Sequence, residues 1–320
     1  MKKAFKNISK GALCIGIVLL IAHIANTLFF FISTLNKKIT EYNSHFYDWK
    51  FGKIHYTTYG TGKPLLCIHG LENGASSYEF HSLIKTLSKT NKVYAIDLLG
   101  YGNSEKPKIT YTAYLYVQLL SDFIKNVIGQ DTNIITSGKS NSFVTMLSIQ
   151  NDTNIEKMIF INPEDINALA KNPTKRNLVC KHIIELPIIG TAIYLLLSSK
   201  PKLKQLFKKQ YFFNASYISK KIFNSFYENS HLGEASNKYI YASNTFRYNN
   251  VNISHALQQT NNSIYIIQGS ERNEYHEDVI NGYKKVNASI EGTVVYKAKA
   301  FPHIERPSST LEILKLFLDE

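Results

Sequence analysis

The spacing of hydrophobic positions changes twice along the chain. Residues 11–34 form one apolar run with no Asp, Glu, Lys or Arg. As a helix rising about 1.5 Å per residue it reaches roughly 36 Å, enough to cross a hydrocarbon core of about 30 Å. From about residue 48 the pattern becomes short apolar runs separated by segments of helical spacing, the alternation of an α/β architecture with a mostly parallel sheet. Residues 51–59 read as a strand, Gly60 to Pro64 as a turn, and 64–69 as a run apolar on both faces, as a strand buried between helix layers should be. Segments 93–98, 132–136, 157–162, 263–268 and 292–297 repeat that character, while 78–87, 114–127 and 311–318 carry helical periodicity. The pattern predicts about six to eight strands.

The second change falls between residues 162 and 263, where only helical stretches rich in Tyr, Phe, Leu and Lys occur. Such a gap is too long for a structureless loop, so 163–262 is expected to be an inserted helical cap between core parts 48–162 and 263–320. Within it, 183–197 is apolar enough to raise a second membrane span, but Glu185, Pro187 and Gly190 interrupt it and it falls short of about 18 residues. A pair of cap helices over the sheet is the expectation.

Composition narrows the classes. The 320 residues are 44% hydrophobic and 19% charged, which excludes wholesale disorder and collagen-like repetition. Lys and Arg number 37 against 24 Asp and Glu, a net +13 that favours anionic surfaces as partners. Cys14, Cys67 and Cys180 lack C-x-x-C spacing, so neither a disulfide framework nor a metal site is expected. A basic segment, residues 1–10 with Lys2, Lys3, Lys6 and Lys10, precedes the apolar run, and Phe29 to Ile32 leave no small-residue cleavage site at its end. Residues 11–34 are therefore expected to be an uncleaved single-pass anchor in the lipid bilayer rather than a removed signal. Lys37, Lys38, Lys50 and Lys53 nearly balance the lysines before the helix, leaving a slight preference for an extracytoplasmic body.

Three segments of the first core part carry candidate chemistry. Gly138-Lys139-Ser140-Asn141-Ser142 lies between a strand and a helix, and a serine on such a tight turn needs small neighbours two residues to either side. Residues 64–71 end a strand in His69-Gly70-Leu71, and 97–107 form a D-x-x-G-x-G-x-S-x-x-P loop. Together with Pro302-His303-Ile304-Glu305-Arg306-Pro307, these motifs resemble the serine-nucleophile branch of the α/β-hydrolase superfamily over residues 48–320. The resemblance implies the α/β-hydrolase fold, with Ser140 as nucleophile and the backbone N–H groups of Leu71 and Asn141 as the oxyanion hole. Removing one such donor typically costs about 2.7–4 kcal/mol of transition-state stabilisation.

The base and acid depart from the family pattern. The position that usually holds the histidine is Ala300, and His303 follows Pro302, so His303 is either a base on a shifted loop or a helix-entry residue. Arg272 stands where the aspartate is usual. Glu271 and Glu274 flank it, and Glu164 and Asp165 lie after the preceding core strand, where some hydrolases place the acid. The catalytic set taken forward is Ser140, His303 and Glu271, acting without cofactor or metal on a small or lipid-like acyl substrate. The alternative, motivated by Ala300 and Arg272, is a hydrolase-like protein that has lost its base and acid and serves as a membrane-tethered binding module. No phosphate loop or zinc helix occurs, and Ser140 argues against the aspartate-nucleophile branches. Five lysines between residues 200 and 209, interleaved with aromatics, suit a solvated face or anionic lipid better than nucleic acid.

Overall fold

The computed structural model describes residues 2–35, 43–150, 154–271 and 279–319. After helix α1 (Lys2–Thr34), the strands are β1 (Ser44–Trp49), β2 (Gly52–Tyr59), β3 (Lys63–Ile68), β4 (Asn91–Ile96), β5 (Thr132–Ser137), β6 (Ile155–Ile161), β7 (Ser263–Gly269) and β8 (Glu291–Val295). They form one sheet in the order β1-β2-β4-β3-β5-β6-β7-β8. β2 runs antiparallel to β1 and β4, and every other neighbouring pair is parallel. β1 lies outside the predicted set because it is an edge strand exposed along most of its length, with no core-facing alternation to read.

Helices α2 (His81–Leu87), α3 (Ala113–Phe123) and α4 (Asn141–Ser148) cover the first half of the sheet. Between β6 and β7 the described residues hold only helices: α5 (Ile166–Leu169), α6 (Lys175–Glu185), α7 (Ile188–Leu197), α8 (Lys200–Leu206), α9 (Lys220–Asn229), α10 (Asn237–Thr245) and α11 (Ser254–Gln259), with short 3-10 and π turns. Helices α12 (Val279–Val286), α13 (Pro302–Glu305) and α14 (Pro307–Asp319) complete the fold. The entry to α6 is fixed by a capping box in which the Thr174 hydroxyl accepts from the Asn177 N–H and the Asn177 side chain reaches back to Thr174.

Period-two alternation divides the parallel strands between two cores. Leu65, Cys67, Val93, Ala95, Ile135 and Ile159 pack with Leu83 and Leu87 of α2 and Leu314 of α14. Leu66, Ile68, Tyr94, Ile96, Ile134 and Phe160 face the other way, into a cluster with Leu119 and Phe123 of α3 and Phe143 and Leu147 of α4. This two-sided burial explains why the runs are apolar at consecutive positions. The insertion joins the same cluster through Leu203, Ile222, Phe226 and Ile240.

Candidate site at the strand ends

β5 continues one residue beyond its apolar pattern, through Ser137, and the chain turns at Gly138, whose φ is +54°. A left-handed backbone at a sharp strand-to-helix turn marks the place where the nucleophile stands in hydrolases of this kind, and glycine adopts it without a Cβ penalty. The bend expected at Ser140 thus lies two residues earlier. In that frame Gly138 is the apex of the turn, and Thr136 and Ser140 are its small flanking residues. Ser140 is fully buried, and its Oγ donates to the His69 carbonyl at 2.5 Å. The Asn141 N–H donates to the Lys139 carbonyl within the turn, and its side-chain amide donates to Tyr283 Oη at 2.6 Å.

The other expected residues lie elsewhere. His303, buried on α13, places Nε2 2.9 Å from Glu79 Oε1 and stacks its ring on Phe80. Glu79 Oε2 accepts from the Gly70 N–H at 3.1 Å, which ties the loop after β3 to this pair. Burial alone would raise the Glu79 carboxyl, but His303, with help from Ser137 and His69, holds the group below the usual carboxylate range. Glu271 is exposed beyond β7, where its carboxylate accepts from Ser270 Oγ at 3.2 Å. Arg272 and Glu274 lie outside the described residues. Among the described residues, no hydrogen bond or ion pair joins Ser140, His303 and Glu271 to one another.

The remaining motifs act as scaffold. Asp97 accepts from the N–H groups of Ser77 at 2.7 Å and Asn103 at 2.8 Å, and meets His55 Nδ1 at 2.8 Å. His69 accepts the Leu98 N–H on Nε2 and directs Nδ1 at the Gly70 carbonyl. Both buried side chains stitch together the loops that leave β3 and β4.

Above those loops lies a cavity of about 370 Å³ between the strand ends and the insertion. Glu72, Tyr101, Lys139 and Glu164 line it from the core, and Leu197, Lys202, Asn229, Asn237, Tyr241 and Asn244 from the insertion. Of the residues expected at the site, Leu71 and the alternative acid Glu164 border it, whereas Ser140, His303 and Glu271 do not. The Glu72 carboxyl stands over the turn, with Oε1 3.3 Å from where a Cβ on Gly138 would lie. Its Oε2 is buried and has no hydrogen-bond partner among the described residues. Burial, reinforced by the charge of Glu79, pushes the Glu72 carboxyl up to about 8, so at neutral pH it is a hydrogen-bond donor. Burial also lowers the Lys139 amine, which donates to Oδ1 of Asn244 at 2.9 Å and of Asn250 at 3.0 Å. Sequence reasoning missed Glu72 and Lys139. Their signal was weak, since a polar residue beside a glycine turn is ordinarily solvated. Among the described residues no group of three or more His, Cys, Asp or Glu is placed to hold a metal ion.

Residues 63–173 match a family profile described as the alpha/beta hydrolase fold. The structure aligns with the crystal structure of a serine hydrolase involved in carbazole degradation at a TM-score of 0.71 and 18% identity, covering 87% of this chain and 99% of that one. The chain has the α/β-hydrolase fold. In sequence it is 34% identical over 98 residues to a 2-hydroxy-6-oxo-6-(2'-aminophenyl)hexa-2,4-dienoic acid hydrolase of Metapseudomonas resinovorans, covering 30% of this chain and 33% of the relative. It is 40% identical over 60 residues to a haloalkane dehalogenase of Agrobacterium fabrum, 19% of each chain. The chain thus matches a third or less of the length of these curated relatives. The likeness in sequence is local, whereas the hydrolase fold extends over most of the chain.

Proposed function

We propose that this chain is a membrane-anchored binding protein on a hydrolase-fold scaffold, taking a small polar ligand into the cavity above Gly138 without hydrolysing it. The observation that carries this reading is the glycine at the apex of the turn, which supplies no hydroxyl, while Ser140 commits its own hydroxyl to a buried carbonyl. Ala300 at the usual position of the base points the same way. The amides and phenols of the cavity wall suit a ligand with several hydrogen-bonding groups, and protonated Glu72 suits an acceptor such as a carbonyl oxygen. The tether rests on Leu13–Thr34, the one helix among the described residues long and apolar enough to cross a membrane, with the body on the extracytoplasmic side.

The rival reading is acyl hydrolysis by Ser140, His303 and Glu271, favoured by the name of the hydrolase relative. One experiment divides the two. The full chain in detergent is treated with a fluorophosphonate probe and assayed on p-nitrophenyl esters beside Ser140→Ala. We expect no label on Ser140 and equal, background rates for both proteins. Labelling at Ser140, or a fall of tenfold or more in Ser140→Ala, would replace binding with hydrolysis.

A further inference from the structure

The last turns of α1 are seated on the insertion. Asn26 Nδ2 donates to the Ile188 carbonyl at 3.2 Å, Phe30 packs with Tyr194 and Leu195, and Ser33 Oγ lies 2.9 Å from Tyr227 Oη. The free part of the apolar helix, residues 13–25, is about 20 Å long at about 1.5 Å per residue, roughly 10 Å short of a hydrocarbon core. If α1 crosses a bilayer, the hydrocarbon must extend over the docked turns and over whatever surface lies beside them. That surface is α7 and its partner α6, which meet at a 100° bend and expose Ile183, Leu186, Ile189 and Leu196. The bend also meets the main demand of a lipid environment, internal satisfaction of backbone groups. The Lys238 ammonium donates to the carbonyls of Leu186 at 2.6 Å and Pro187 at 3.3 Å, and the Thr191 hydroxyl also donates to Pro187. The charge around the hairpin is one-sided. Residues 171–221 hold eleven Lys or Arg against one acid, Glu185, which is paired with Lys181 at 2.7 Å.

From this we infer that the α6–α7 hairpin is a re-entrant membrane contact, sunk beside α1 into the near leaflet of a bilayer whose anionic phospholipid headgroups are held by the flanking lysines. The inference rests on the anchor reading of α1. It makes α7 a wall between two environments, since Leu196 faces outward while the adjacent Leu197 borders the cavity. A test uses the full chain in vesicles of phosphatidylcholine and phosphatidylglycerol, with and without acyl-chain spin labels, and bimane on single exposed cysteines. Cys67 is buried, with its thiol pushed up to about 12, and stays unlabelled. In a Cys14→Ser, Cys180→Ser background, Ile189→Cys and Leu196→Cys report on the hairpin and Tyr296→Cys on the exposed end of the edge strand β8, while native Cys14 with Cys180→Ser reports on the anchor. We expect quenching at 189, 196 and Cys14 at least threefold stronger than at 296, weakening at 189 and 196 when phosphatidylglycerol is omitted. Quenching at 189 and 196 no stronger than at 296, with Cys14 quenched, overturns the hairpin contact and leaves the anchor standing. Unquenched Cys14 overturns the anchor and the hairpin contact with it, and insensitivity to phosphatidylglycerol overturns the headgroup assignment.

Discussion

Glu72 gains a proton on folding. Its carboxyl titrates near 4.5 when free of the fold and near 8 in it, so between those values the native state holds a proton that the unfolded chain releases. Stability must then fall as pH rises through this window, by at most about 1.4 kcal/mol per pH unit from this group. Glu72→Gln keeps a donor and removes the titration. Its thermal midpoint should match that of the parent chain near pH 4 and exceed it near pH 8, and parallel melting curves for the two proteins across that range would show that Glu72 is not the group responsible. The same scale decides the turn after β5. Two overlapping frames, Gly138-x-Ser140-x-Ser142 and Thr136-x-Gly138-x-Ser140, both offer small flanking residues. Only the backbone angle at Gly138 distinguishes them, and that angle follows from where β5 stops pairing with β6, at Ser137 and Ile161. A residue's place on the turn is therefore a property of strand register, which a local motif does not contain.

At the scale of elements, the strands of the parallel sheet were legible because burial on both faces leaves an apolar run bounded by turns, as at 64–69 and 263–268. β1 was not, since an exposed edge strand needs no such run. The helices of the insertion were legible as helices, but their mutual placement was not. Gly190 shows why. A Cβ there would lie 2.2 Å from the Ile184 carbonyl oxygen and 2.6 Å from that of Ile183, so the bend between α6 and α7 exists only because position 190 has no side chain. Gly190→Ala should push α7 off α6 at a cost of about 1–3 kcal/mol, as overpacking usually does. Urea unfolding of the detergent-solubilised chain measures this, and an unchanged midpoint would mean that the two helices can separate freely.

For the whole molecule, the apolar helix and the positive charge meet on the insertion. Ten of the thirteen net charges fall between residues 171 and 221, on the same insertion that receives the end of α1. A removed signal would leave that seat empty, exposing Tyr194 and Leu195, which Phe30 now covers. The intact mass of protein extracted from membranes should therefore include residues 1–34, and a mass lacking them would mark α1 as a signal sequence. Sequence alone determined the sheet class, the motifs that lead to the hydrolase fold and the apolar length of α1, because each is a local pattern carried by consecutive residues. Only the tertiary structure decided that Gly138 holds the turn, that His303 answers Glu79 rather than Ser140, and that Glu72 reaches over the cavity. Those outcomes depend on which distant side chains share one low-dielectric space, and spacing along the chain does not encode that.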